Sequence, residues 1–246
     1  MPGHLTCVCE CKRPTQPGDI ALHSHPMKTA QRILATSARL FNEQGERNVT
    51  ASDIALELDI SPGNLYYHFR GKDSIHSALF KAFYQQLAGM LAIPASEQHF
   101  LASNDPLERS WLFLTVVLET MLAHRYLYLN MSDLMLRYPD VDRGMRRLIG
   151  LKHDASRALA AELLATVDIQ SDRQRLELVA NNMAMTLLYW LSFNQFVTAK
   201  QNEQQVVHEG VLQILSHCAP YLGAEQAQFY RDCELINARL LDAHSA

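Results

Sequence analysis

The chain has 246 residues, of which 48% are apolar and 20% charged, a balance that excludes a wholly disordered protein. Its 26 acidic residues outnumber 22 lysines and arginines, and a net charge of −4 argues against a protein that coats nucleic acid by bulk charge. The apolar run "WLFL" from Trp111 is far short of the ~20 residues that span a bilayer. No basic start or apolar stretch marks a secretory signal, so the cytoplasm is the expected compartment.

Residues 1–26 hold Pro2, Pro14, Pro17 and Pro26 and show no helical or strand period, which predicts a disordered arm. Cys7, Cys9 and Cys11 alternate there, with His4, His23 and His25 nearby. One reading is a metal or redox tail, although the spacing is not C-x-x-C. The other is an arm that precedes the true start at Met27. Regular structure is expected from there. Ile33, Leu34, Ser37, Ala38, Leu40 and Phe41 share one helix face, and Gly45 stands where that helix can end. A second helix follows, with Thr50 as N-cap, Asp53 completing a capping box, and Ile54, Ala55 and Leu58 as its buried stripe. After a turn at Asp59 and Ile60, Ser61 is an N-cap and Pro62 a first helical residue, so a third helix runs to about His68.

Two short capped helices joined by a tight turn make a helix-turn-helix, whose second member enters the DNA major groove. Leu65 and Phe69 are four apart and must face the supporting helices, which sends Gly63, Asn64, Tyr66, Tyr67 and His68 outward or sideways. Their polar tips suit phosphates and base edges, and Lys72 opens the next helix with a charge and free backbone N–H groups. The alternative is that Tyr66, Tyr67 and His68 only cap a small core.

The run "TASDIALELDISPGNLYYHFRGKDSI", with "AQRILATSARLFNEQGERNVT" before it, resembles the N-terminal domain of the tetracycline-repressor (TetR) family of regulators. Phe41, Gly45, Thr50, Ile54, Ala55, Ser61, Gly63, Leu65, Tyr66, His68, Phe69 and Lys72 carry the resemblance over about 45 residues. One departure is Asp59, where the family often has glycine; aspartate tolerates the left-handed conformation, so the same turn is expected. The resemblance implies that Thr50, Tyr66, His68 and Lys72 hold phosphates, while Asn64, Tyr67 and Ser52 face bases. Ser61 and Gly63 complete the candidate contact set. After the arm 1–26, which composition sets apart, it also implies a DNA-binding domain 27–73 and a ligand-binding and dimerisation domain 74–246.

A fourth helix from Lys72 to Leu91 presents Ile75, Leu79, Phe83 and Leu87, and residues 94–106 are expected to be a loop. Further helices are predicted from Asp105-Pro106, then over Tyr126–Arg137, Val141–Val167, Asp172–Lys200, Glu203–His217 and Ala224–Asp242. No useful strand alternation appears, so the fold is all-α. The helix at 172–200 is apolar nearly all round, with Leu176, Val179, Met183, Leu187 and Trp190 on one side and Leu178, Met185, Leu188, Phe193 and Phe196 on others. Such a helix must be covered twice. Together with the 203–217 helix it is the expected interface of a homodimer, the arrangement the resemblance implies; core helices of a monomer are the alternative.

The stretch "WLFLTVVLETMLAHRYLYLNMSDLMLRYP" is rich in Met, aromatic and Leu residues, most of them core. The family implies an inducer pocket, and its candidate walls are Trp111, Met121, Tyr126, Met131, Met135, Met183 and Trp190, with Glu119 and His124 to orient a ligand. The same stretch resembles, more weakly, the regulators of polyhydroxyalkanoate storage operons, which implies an acyl-CoA or fatty-acid-like small-molecule inducer. No G-x-S-x-G, P-loop, G-x-G-x-x-G or H-E-x-x-H pattern is present, so neither an enzyme nor a cofactor or metal site is expected. The function expected is a dimeric, ligand-responsive repressor on a palindromic operator. The competing class is a helical dimerising protein without sequence-specific DNA binding.

Overall fold

The computed structural model describes residues 28–93, 97, 103–165, 172–197 and 202–245. The arm 1–26, with its cysteine cluster, and most of the 94–106 loop lie outside them. Among the described residues the regular structure is helical throughout. Helices α1 (Thr29–Gln44), α2 (Ala51–Glu57) and α3 (Pro62–His68) form an amino-terminal unit around Ile33, Phe41, Val49, Ile54 and Leu65, all fully buried. α1 ends at Gly45, whose positive φ of 82° suits a residue without a Cβ, and whose N–H reaches the Phe41 carbonyl. Thr50 caps α2 through both arms of a capping box with Asp53. The Ser61 hydroxyl accepts the Asn64 N–H to cap α3, and Asp59 takes the left-handed turn at φ 53°.

Helix α4 (Lys72–Leu91) leads out of this unit into a bundle of α5 (Pro106–Leu122), α6 (Arg125–Leu129), α7 (Met131–Arg137), α8 (Pro139–Leu163), α9 (Arg173–Val197), α10 (Glu203–Ser216) and α11 (Gln226–Ser245). Asp105 caps α5 and Pro106 is its first residue, as the sequence predicts. The single helix expected over 126–137 is two: Asn130 leaves helical geometry at φ −124°, ψ 25°, and its side-chain amide bonds back to the Tyr126 carbonyl. A short polar side chain that competes for backbone partners is a usual cause of such a break. The expected helix start at Ala224 falls instead in a 3₁₀ turn, Gly223–Glu225, with α11 beginning at Gln226. No helix of the described residues is long and apolar enough to cross a membrane.

α8 packs between α4 and α9, with Gly144 so close to Phe80 of α4 that a Cβ there would stand 2.6 Å from the ring. α9 is buried along Val179, Met183, Leu187 and Trp190, and bare on another side, where Leu178 lies two turns before Met185 and Tyr189, Phe193 and Phe196 then follow at intervals of three or four residues. Phe193 is 58% and Phe196 87% exposed. α10 differs from expectation: Val206, Val207, Val211, Ile214 and Leu215 are buried within one chain, against α5 and α9. Of the two helices expected to pair with a second subunit, α9 alone keeps a long exposed apolar stripe.

Candidate nucleic-acid interface

Helix α3 is seven residues long, and its face is fixed by one anchor. Leu65 is fully buried under the helix, so Asn64, Tyr66 and Tyr67 are exposed, Tyr67 to 85%. An isolated seven-residue helix is unstable in water, so α3 owes its form to the Ser61 cap, Pro62 and the Leu65 anchor. The Tyr67 ring meets His68 edge-on, with centroids 5.1 Å apart. Two exposed phenols, an exposed amide and a half-buried imidazole thus stand together along α3 as donors and acceptors with apolar bodies.

Thr50, Ser52, Ser61 and Gly63 are exposed around α3. The Thr50 hydroxyl donates to Asp53 at 2.7 Å and accepts the Asp53 N–H at 3.2 Å, so this side chain is already oriented by the cap. Lys72 is placed differently from the other candidates. Its ammonium donates to the Glu46 carbonyl at 2.9 Å and lies 3.1 Å from the Glu46 carboxylate, so it holds the interior of the unit. Arg70, which the sequence reading passed over, is exposed just beyond α3 and has no acidic partner among the described residues.

Behind this surface lies a polar junction that ties the amino-terminal unit to α6 and α7. Glu46 is 1% exposed and receives Arg137 of α7 as well as Lys72. Burial alone would push its carboxyl up; the hydrogen bonds from Arg137 and Lys72 outweigh that and hold it below its ordinary value. The Tyr138 hydroxyl sits 3.1 Å from Glu46 and 3.0 Å from Asp73, able to donate to one at a time. Arg47 pairs with Asp133, and the Asn42 amide spans the Ala123 carbonyl (2.8 Å) and the Tyr126 N–H (3.1 Å). His76 stacks on Tyr138 at 4.3 Å with neither ring nitrogen bonded, and burial holds it below the ordinary imidazole value.

The nine candidate pocket residues do not gather in one cavity. Trp111 lines a cleft of about 420 Å³ with His208, Leu212 and Asn237. Glu119 lines a neighbouring one of about 520 Å³ with Asn42, Arg125 and Val207. Met121, Tyr126 and Met183 are fully buried core, and Met131 and Met135 pack partly buried against it. The Trp190 indole donates to the Val206 carbonyl at 2.8 Å, and His124 lies against Phe83 with centroids 5.1 Å apart.

Comparison with known proteins matches both parts of the chain. Residues 33–79 fit the model of bacterial regulatory proteins of the tetR family, and residues 82–230 that of a bacterial transcriptional repressor. IcaR of Staphylococcus aureus, a negative transcriptional regulator of the biofilm operon icaADBC, is 23% identical over 75% of this chain and 96% of its own. A TetR-family regulator from Marinobacter aquaeolei VT8 superposes with a TM-score of 0.72 at 27% identity, over 85% of this chain and 99% of that one. A TetR regulator from Legionella pneumophila, 17% identical, shares the fold at a TM-score of 0.55 over 77% and 98% of the two chains.

Proposed function

Because the chain belongs to the TetR family of DNA-binding transcription factors, we propose that it is a repressor that binds a palindromic operator as a homodimer and leaves it when a small apolar or acyl-type inducer binds. The observation that carries this reading is the outward face of α3, where Asn64, Tyr66 and Tyr67 are exposed on a helix anchored by Leu65. Asn64, Tyr67 and Ser52 then read base edges. Thr50, Ser61, Tyr66, His68 and the N-terminal turn of α4 at Lys72 hold phosphate oxygens, with Gly63 at the closest backbone approach. Residues 27–73 form the DNA-binding domain in this reading, and 74–246 the part that senses and dimerises.

Fluorescence anisotropy on DNA from beside the protein's own gene, against a scrambled fragment over a salt series, tests the reading. Tyr67→Ala or Asn64→Ala is expected to cost ~1–3 kcal/mol on the native fragment and to relax its preference. Arg70→Ala is expected to weaken both fragments alike and to reduce the salt slope by about one unit. Equal losses on both fragments for all three variants would contradict the assignment of base readers.

The exposed stripe of α9 supports the dimer. A contiguous row of aromatic and aliphatic side chains in water is a typical subunit interface, and a two-fold pair through α9 would set two α3 helices on successive half-sites. Phe193→Asp would place a charge in the middle of that row. Sedimentation is expected to show a dimer for the natural chain and a monomer for the variant at micromolar concentration; a variant still dimeric there rules out α9.

A further inference from the structure

Helix α8 buries one stripe: Val141, Met145, Leu148, Lys152, Ser156 and Leu159. Four are apolar, as a core stripe should be, and two in the middle are not. Lys152 is only 1% exposed. Its ammonium donates to the Tyr128 hydroxyl at 3.0 Å and lies 4.4 Å from the centre of that ring, and among the described residues no carboxylate pairs with it. One helical turn on, the buried Ser156 hydroxyl has no hydrogen-bond partner. Lysine is almost never fully buried unless it is paired, and a phenol takes only one of its three protons.

We propose that Lys152, Ser156 and Tyr128 form the seat for the anionic end of the effector, and that the effector is a monocarboxylate with an apolar body. This rests on the reading that the protein responds to an inducer. The ammonium has two protons left to give, Ser156 has one, and the Tyr128 phenol keeps its own while accepting from Lys152. Those donors match the two oxygens of one carboxylate. The surroundings set the rest of the molecule: Met145, Leu148 and Leu159 flank the pair along α8, and Phe83 meets the Tyr128 ring edge-on with centroids 6.1 Å apart. A phosphate-rich carrier such as coenzyme A would bring further negative charges to a place that offers one cation.

The seat also has a path to the DNA-binding surface. Tyr128 belongs to α6, whose continuation into α7 carries Asp133 and Arg137, the partners of Arg47 and Glu46. Both Lys152 and Ser156 are closed to solvent, so in this proposal a ligand enters as the helices around them part, and opening the Lys152–Tyr128 contact transmits that movement through α6 to the polar junction.

Calorimetry on the full chain tests the proposal with straight-chain carboxylates from hexanoate to tetradecanoate, each beside its methyl ester. At least one carboxylate is expected to bind about tenfold or more tightly than its ester. Lys152→Met removes a buried charge and leaves a foldable core; it is expected to bring acid and ester to within about threefold. Lys152→Arg is expected to keep the preference, and Ser156→Ala to weaken it. No binding across the series, equal binding of an ester, an undiminished preference in Lys152→Met, or tighter binding of decanoyl-coenzyme A than of decanoate would each overturn the assignment. Anisotropy on the same samples separates the two readings. Carboxylate binding without DNA release supports the seat and defeats the inducer role; release by molecules of another class, with no carboxylate bound, does the reverse.

Discussion

Glu46→Gln is expected to lower the unfolding free energy by about 3 kcal/mol near neutral pH. The carboxylate is buried and holds Lys72, Arg137 and the Tyr138 hydroxyl, so an amide in its place leaves Lys72 without its counter-charge and Arg137 with Asp133 alone. Chemical denaturation measures the loss, and its pH dependence identifies the cause. The Glu46 carboxyl is held below its ordinary value in the folded chain, so its contribution is complete above that value and disappears as acid protonates it. The gap between natural chain and variant should therefore be constant from about pH 5 upward and shrink below it. DNA binding and its release by ligand should also come apart in the variant, because Glu46 joins the α1–α2 connection to α4 and α7 at once. A variant as stable as the natural chain, with release unchanged, would mean that the junction carries neither load nor signal.

Lys152→Met is expected to act in the opposite direction and to raise stability by roughly 2–4 kcal/mol below pH 7. Burial pushes the Lys152 amine down to about 7, whereas in the unfolded chain it keeps its proton to its ordinary value near 10.5. Between those limits the unfolded state binds the extra proton, so the natural chain gains stability as pH rises, and the advantage of methionine shrinks from about pH 7 upward. Cys218 and Cys233, whose thiols burial pushes up to about 12, work the other way in alkali, but they are common to both chains and cancel in the difference. Thermal denaturation of the two proteins from pH 6 to 9 gives the comparison. If methionine destabilises the chain throughout, Lys152 is making a favourable structural contact. If it stabilises, the lysine is kept at a thermodynamic cost, the usual mark of a functional group.

Local chemistry was legible in the sequence wherever one short window holds all the participants. The Thr50 and Ser61 caps, the left-handed turn at Asp59 and the anchor at Leu65 are each settled within four or five residues. The double-sided character of α9 was also legible, since a helix of 25 residues repeats its pattern often enough to fix the phase. The junction was not legible: Glu46 and Arg137 meet across 91 positions, and nothing near Glu46 marks it as buried. Lys152 falls between the two cases. Its phase between Leu148 and Ser156 was there to be read, but one lysine on a predicted face is ordinarily taken as solvated. The pocket candidates scattered because residue type alone does not separate a lining side chain from a core one. Trp111 and Trp190 are both buried indoles, yet the Trp190 N–H is bonded to a carbonyl and that of Trp111 is not.

The contact of Gly144 with Phe80 restricts how the sensing and DNA-binding parts can move against each other. A Cβ at position 144 would meet that ring at 2.6 Å, and the residues on either side in the chain are Arg143 and Met145. Neither of those shares the glycine's face; the side chains that do, Asp140 and Leu148, lie one turn away and would be driven toward the ring if α8 slid by a turn along its own axis, whereas turning α4 about the ring face requires no such collision. The pairing therefore behaves as a pivot bearing: it blocks translation and leaves rotation. An alanine at 144 would jam it without touching ligand or operator.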